Sequence, residues 1–294
     1  MTRHCRVALL VLFAVSCAFY QTAPATQTSL PAGPETPTGS DERHAYLGFD
    51  RNDYPGDAAL PILRKSFVFS GYWLGPPPGE KTNTWRGKRE QLRAQGFGFL
   101  LLYRGRKSDE LKTPAATKQK GSSDAQNAAA AAKSDGFPLH AIIFLDIEEG
   151  GRLSANYHSY LRAWTDALSR AGFRPGVYCS GIPVDEGGGV SITTAENIRD
   201  NLGRREIVYW VFNDACPPSQ GCATPRNPPL PAGSGIPYAS IWQFVRSPRP
   251  REFTARCAET YQADGNCYAP GDAARAWHLD ISSATSHDPS GGRK

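Results

Sequence analysis

Asp146 and Glu148 stand two residues apart at the end of the run Ala141-Ile-Ile-Phe-Leu-Asp-Ile-Glu-Glu149. Side chains at i and i+2 of a strand point the same way, so the two carboxylates share one face. Adjacent carboxylates compete for protons: one is pushed toward the neutral acid while its neighbour stays ionised. An acid that can give a proton, beside a carboxylate that can stabilise positive charge or activate water, is the equipment of general acid catalysis and of glycoside cleavage. Asp50 and Asp280 close two other strand-like runs, Tyr46-Leu-Gly-Phe-Asp50 and Ala276-Trp-His-Leu-Asp-Ile281. The candidate catalytic residues are therefore Glu148, Asp146, Asp50 and Asp280.

Four acids so distant in sequence meet only if the chain brings strand ends to one place. Ile142 to Leu145 is apolar without alternation, as in a parallel strand buried on both faces. Similar runs recur at 67–72, 97–103, 174–179, 207–212 and 239–244. Helical patterns intervene at 57–63, 85–95, 123–133, 154–171, 193–202 and 251–262. The segment 214–237 is Pro-rich where a helix would follow the sixth strand. Eight strands alternating with helices predict a (β/α)₈ TIM-like barrel with a missing or irregular helix after strand six. A doubly wound open sheet is disfavoured because no GxGxxG follows the first strand. In such a barrel the strand ends form one mouth. Trp73, Tyr103, Tyr178, Trp210, Trp242 and Gln243 end the other strands and are the expected substrate-binding residues, aromatic faces suiting the apolar faces of sugar rings.

The ends of the chain read differently. Arg3 and Arg6 flank the apolar run Val7–Val15, too short to cross a bilayer and suited to an export signal over 1–25. Cleavage near Ala23-Pro-Ala25 is one reading. The other is lipidation at Cys17, because Ala14-Val-Ser-Cys17 resembles a lipobox with Ala14 in place of Leu. Residues 26–43 form a Pro/Thr/Ser-rich linker, 44–285 the barrel, and 286–294 a disordered tail. The chain is expected to be secreted, periplasmic or bound to the cell envelope, with no transmembrane helix once processed, and monomeric. Its charge of +5 falls to +3 when Arg3 and Arg6 leave with the signal, too little and too scattered for nucleic acid. Export permits disulfides, and the close pairs Cys216/Cys222 and Cys257/Cys267 are the simplest bridges, leaving Cys179 as a buried thiol. A zinc site is disfavoured by the lack of CxxC and paired His. No metal or other cofactor is expected.

Gly48-Phe-Asp50, Phe69-Ser-Gly-Tyr-Trp73, Phe144-Leu-Asp-Ile-Glu148, Gly172-Phe-Arg-Pro-Gly-Val-Tyr178, Ile241-Trp-Gln243 and Leu279-Asp-Ile281 occur in this order. Together they resemble the glycoside-hydrolase-like domains of bacterial secreted proteins, a group related to glycoside hydrolase family twenty-five, the Chalaropsis-type lysozymes. The resemblance covers about residues 45–285. It implies a barrel acting on a peptidoglycan-like β-1,4 glycan of the cell wall. Glu148 would then be the general acid, Asp146 the second carboxylate, and Asp50 and Asp280 holders of substrate, water or the other acids. The alternative is an envelope protein that binds cell-wall glycan on a glycosidase-like barrel without cleaving it. A metal-dependent phosphodiesterase is disfavoured by the absence of His pairs at strand ends.

Overall fold

The computed structural model describes residues 44–215, 227–247, 267–268 and 278–294. Eight strands close a barrel in the order β1-β10-β9-β8-β5-β4-β3-β2. They are β1 (Tyr46–Asp50), β2 (Phe69–Trp73), β3 (Gly98–Arg104), β4 (Ile142–Asp146), β5 (Arg174–Ser180), β8 (Val208–Phe212), β9 (Ile241–Val245) and β10 (Asp280–Ala284). A separate exposed hairpin, β6 (Val184–Gly187) and β7 (Val190–Ile192), follows β5.

Seven barrel strands run parallel, but β10 is antiparallel to both its neighbours, β1 and β9. The last strand runs over Asp280–Ala284, where the sequence suggests 276–281, and Asp280 begins it; residues 276–277 lie outside the described residues. Reversal puts the start of β10 beside the end of β1, with Asp280 in register with Asp50. Asp280 thus reaches the expected mouth, although the strand carrying it runs the other way.

The helices are α1 (Leu60–Leu63), α2 (Arg89–Ala94), α3 (Pro114–Ser134), α4 (Ala155–Arg170) and α5 (Thr194–Asn201). Ser154 caps α4 by accepting from the Tyr157 N–H, and Thr193 and Glu196 form a reciprocal capping box on α5. Helix α3 begins nine residues earlier than its apolar pattern suggests, because Pro114 occupies its first position. Its alanines Ala125, Ala128, Ala129 and Ala132 are buried. A side chain at Gly121 would overlap the Tyr160 carbonyl, so small residues let α3 lie tightly against α4. In the described part of the segment after β8, a single 3-10 turn, Pro231–Ser234, stands in place of a helix. The expected helix at 251–262, the signal and the linker lie outside the described residues, as do Cys216, Cys222 and Cys257. Cys267 is buried, and Cys179 is a free thiol in the core.

The tail at 286–294 is not disordered. Its polar residues close the floor of the barrel by satisfying strand groups between β3 and β4. The Phe99 N–H donates to Asp288 at 2.9 Å and the Leu101 N–H to the Ser290 hydroxyl at 2.9 Å. Ser290 is buried, its N–H donates to the Phe99 carbonyl, and its carbonyl accepts from Ile142. Arg89 donates to the carbonyls of Gly292 and Lys294. A low-hydrophobicity segment is ordered here by backbone hydrogen bonds that a composition argument does not see.

Candidate active site

Each acid is placed by the exit of a strand. Strand β4 ends at Asp146, and the chain stays extended, with the Ile147 N–H donating to the Tyr178 carbonyl at 2.9 Å. Asp146 and Glu148 consequently keep one face. On the other side the Gly105 N–H donates to the Asp146 carbonyl at 2.8 Å; a side chain at Gly105 would overlap that oxygen, so glycine is required for the approach. Asp146 is 3% exposed and Glu148 is exposed. The Asp146 Oδ2 is buried with no hydrogen-bond partner. Burial first, then the charge of Glu148 and a hydrogen bond with it, push the Asp146 carboxyl well above the usual carboxylate range. Arg104, in register with Asp146 on β3, opposes that rise.

Asp50 is buried and held by a relay. The Tyr178 hydroxyl donates to Gln243 Oε1 at 2.6 Å, and Gln243 Nε2 donates to Asp50 Oδ1 at 3.1 Å. Burial and the neighbouring Asp280 raise its carboxyl well above the ordinary value, against the Gln243 hydrogen bond; Glu148 adds to the rise. Asp280 is half-buried and accepts from the Ser247 N–H at 2.6 Å. Burial pushes it up to about 7, opposed by that hydrogen bond and by Arg246. Arg246 is fixed by Asp214, which is 1% exposed, at 3.2 Å, and lies over the Phe212 ring.

Asp50 ends β1 in register with Asp280, and Asp146 ends β4 just before Glu148, so the structure brings the four acids to one mouth. Two recesses flank them. One of about 250 Å³ lies beside Asp146, Glu148 and Arg104; the other, about 450 Å³, beside Asp50, Asp280 and Arg246. Among the described residues, no three His, Cys, Asp or Glu side chains are grouped to hold a metal ion.

The expected aromatic lining needs correction. Tyr103 and Trp242 have the opposite strand parity to the inward row of Asp146, Tyr178, Trp210 and Gln243. Tyr103 stacks on Trp164 of α4, and Trp242 packs on Gly233 and donates to the Asn213 carbonyl outside the barrel. Trp210 faces inward but is wholly buried, its Nε1–H donating to Ser282. Trp73, Tyr178 and Gln243 are buried as well, so these side chains build the floor that fixes the acids and offer little face for a sugar. Sequence reasoning missed Arg246 and Asp214, which show no spacing signal. Arg106 likewise carries no spacing signal. It binds Asp124 through Nε and Nη2, both at 2.8 Å, with the Tyr160 hydroxyl on the same carboxylate.

A closed barrel with carboxylates crowded at one mouth fits a glycoside-hydrolase-like protein. The family described as "Rv2525c-like, glycoside hydrolase-like domain" matches residues 71–221, just over half of the chain, and the chain belongs to it. Among solved structures, an uncharacterized Bacillus stearothermophilus protein is 20% identical over 81% of this chain and 95% of its own, with a TM-score of 0.53. GHIP, a glycosyl hydrolase 25 of Streptococcus pneumoniae, is 12% identical over 81% of this chain and 86% of its own, with a TM-score of 0.50. The Tat-secreted Rv2525c of Mycobacterium tuberculosis is 16% identical over 82% and 94%, with a TM-score of 0.45. At these identities the likeness is one of fold. No curated protein sequence matches the chain. Among the described residues no helix is long and apolar enough to cross a membrane.

Proposed function

We propose that this protein is an exported glycoside hydrolase that cleaves a cell-wall glycan of the peptidoglycan type by general acid catalysis. The observation that carries the reading is the Asp146–Glu148 pair on one face at the exit of β4, one member buried and biased to the neutral acid, the other exposed at the mouth. In this reading substrate meets the pair carrying one proton. Glu148, the exposed partner, delivers it to the glycosidic oxygen as the bond from that oxygen to the anomeric carbon breaks. The negative charge left on the pair then faces the positive charge developing at the anomeric carbon. Water adds to that carbon and its proton returns to the pair. The unpartnered Asp146 Oδ2 points to a group that arrives with substrate. Asp50, fixed by Gln243, and Asp280, fixed by Ser247, hold substrate or water on the far side of the mouth. Export rests on Arg3, Arg6 and the apolar run after them.

Purified protein and Glu148→Gln are incubated with peptidoglycan, and new reducing ends and sedimented protein are measured. Release by the wild type, reduced by about 10²-fold or more in the variant, is expected for loss of the general acid. Binding by both proteins with release by neither overturns the enzyme and leaves a glycan-binding protein. Release that survives in the variant removes Glu148 from its role.

A further inference from the structure

A cavity lies at the opposite end of the barrel from the acids. It measures about 780 Å³ and opens among the first residues of β5 and β8 and the C-terminal ends of α4 and α5. That volume falls in the range of sites for small organic ligands. Its lining has two parts. Phe173, Leu202 and Tyr209 are buried and form an apolar floor, with Tyr238 set edge-on against Tyr209 at 4.9 Å. Around this floor stand Arg174, Arg199, Arg204 and Arg205 against only Asp166 and Glu206.

The arginines are not equivalent. Arg205 is neutralised by Asp166 through two bonds of 2.7 and 2.9 Å. Arg199 lies in the last turn of α5, where a cation suits the helix dipole, and its guanidinium sits 4.3 Å over the Tyr238 ring. Helix-end compensation explains neither Arg174, which opens a strand, nor Arg204, which follows Gly203 beyond α5. Both are exposed, and among the described residues no carboxylate forms an ion pair with either. The rim also carries His140, the one non-glycine residue with a left-handed backbone among those described (φ 66°), held by its N–H to the Gly172 carbonyl at 2.8 Å. Strain of this kind persists where the surroundings fix it, and it collects at binding sites.

We propose that this cavity binds an organic anion with a flat apolar body, its ring against Tyr209 and Tyr238 and its acidic group between Arg174 and Arg204. The site is independent of the glycosidase reading, because no acid of the mouth contributes to it.

Anilinonaphthalene sulfonate is a fitting probe: a flat apolar anion whose fluorescence rises on leaving water. It is titrated into the purified full chain and into an Arg174→Ala/Arg204→Ala double variant, with the uncharged phenylnaphthylamine in parallel. Circular dichroism melting confirms that the variant folds; both side chains are exposed and leave no buried partner. Expected are saturable binding at one site, a loss of about tenfold or more in affinity in the double variant, equivalent to one lost charge-assisted contact, and a comparable weakness for the uncharged analogue. A Tyr238→Leu variant should weaken both probes. No saturable binding, an unchanged double variant, or equal affinity for charged and uncharged probes overturns the proposal.

Discussion

Asp280→Asn isolates what burial does to one acid of the mouth. Asparagine keeps the Oδ1 that accepts from the Ser247 N–H and removes the charge. In the folded chain burial pushes the Asp280 carboxyl from its ordinary value of 3.8 up to about 7. Its folded value is raised, so the folded chain retains this proton where the unfolded chain has lost it. Stability is therefore fully present below about pH 4 and falls as pH rises toward 7. A rise from 3.8 to about 7 sets a ceiling of about 4 kcal/mol. Asp280 is only half-buried and Arg246 stands beside it, so screening and the lost attraction reduce the expected effect to about 1–2 kcal/mol. Urea unfolding is followed from pH 4.5 to 8.5. With a slope of about 3 kcal/mol per molar, the variant's midpoint should exceed the wild type's by about 0.3–0.7 M at pH 8 and converge with it near pH 4.5. Parallel curves across the range, or a variant less stable at pH 8, would refute the claim that desolvation dominates at this acid.

Two other changes test the frame around the site. Gly98→Ala drives a methyl into the backbone of His287 and Asp288, so the tail must move; a loss of about 1–3 kcal/mol in denaturant unfolding, with faster carboxypeptidase trimming, is expected for overpacking. Arg106→Met leaves the buried Asp124 with the Tyr160 hydroxyl in place of a two-bond arginine partner. Since Arg106 is itself about a third exposed, thermal unfolding should report a loss of about 2–3 kcal/mol, below the full cost of breaking a buried pair.

Much of the fold was legible because the barrel strands are short apolar runs between clear helix signals. Seven of the eight strand positions agree with those runs to within about two residues. The direction of β10 was not legible: strand polarity is set by what pairs with it, and Leu279-Asp280-Ile281 reads the same either way. Asp50, Asp146 and Glu148 lie at strand exits as the runs suggest, whereas Asp280 begins its strand and meets Asp50 only because β10 is reversed. The fate of Tyr103 and Trp242 was not legible, because their parity is fixed only by register: Tyr103 pairs with Leu145, and Asp146 with Arg104. The Asp214–Arg246 and Asp124–Arg106 pairs join residues from separate elements and carry no local signal. The tail misled because its stability is one of backbone hydrogen bonds to strand ends, while composition measures only side chains.

The reversed last strand also decides which connection serves the mouth. In an all-parallel barrel the chain leaving β10 would shape the site beside Asp280. Here the chain entering β10 does so. Leu279 donates its N–H to the Cys267 carbonyl, Cys267 donates its own to the Ser247 hydroxyl, and the Ser247 N–H clamps Asp280. His278, on the same approach, lines the recess with Asp50 and Asp280. The chain leaving β10 runs to the opposite end, where Asp288 and Ser290 seal the floor. Substitutions just before Asp280 should therefore alter the acids and whatever they act on, whereas substitutions after Ala284 should alter stability and leave the mouth chemistry in place.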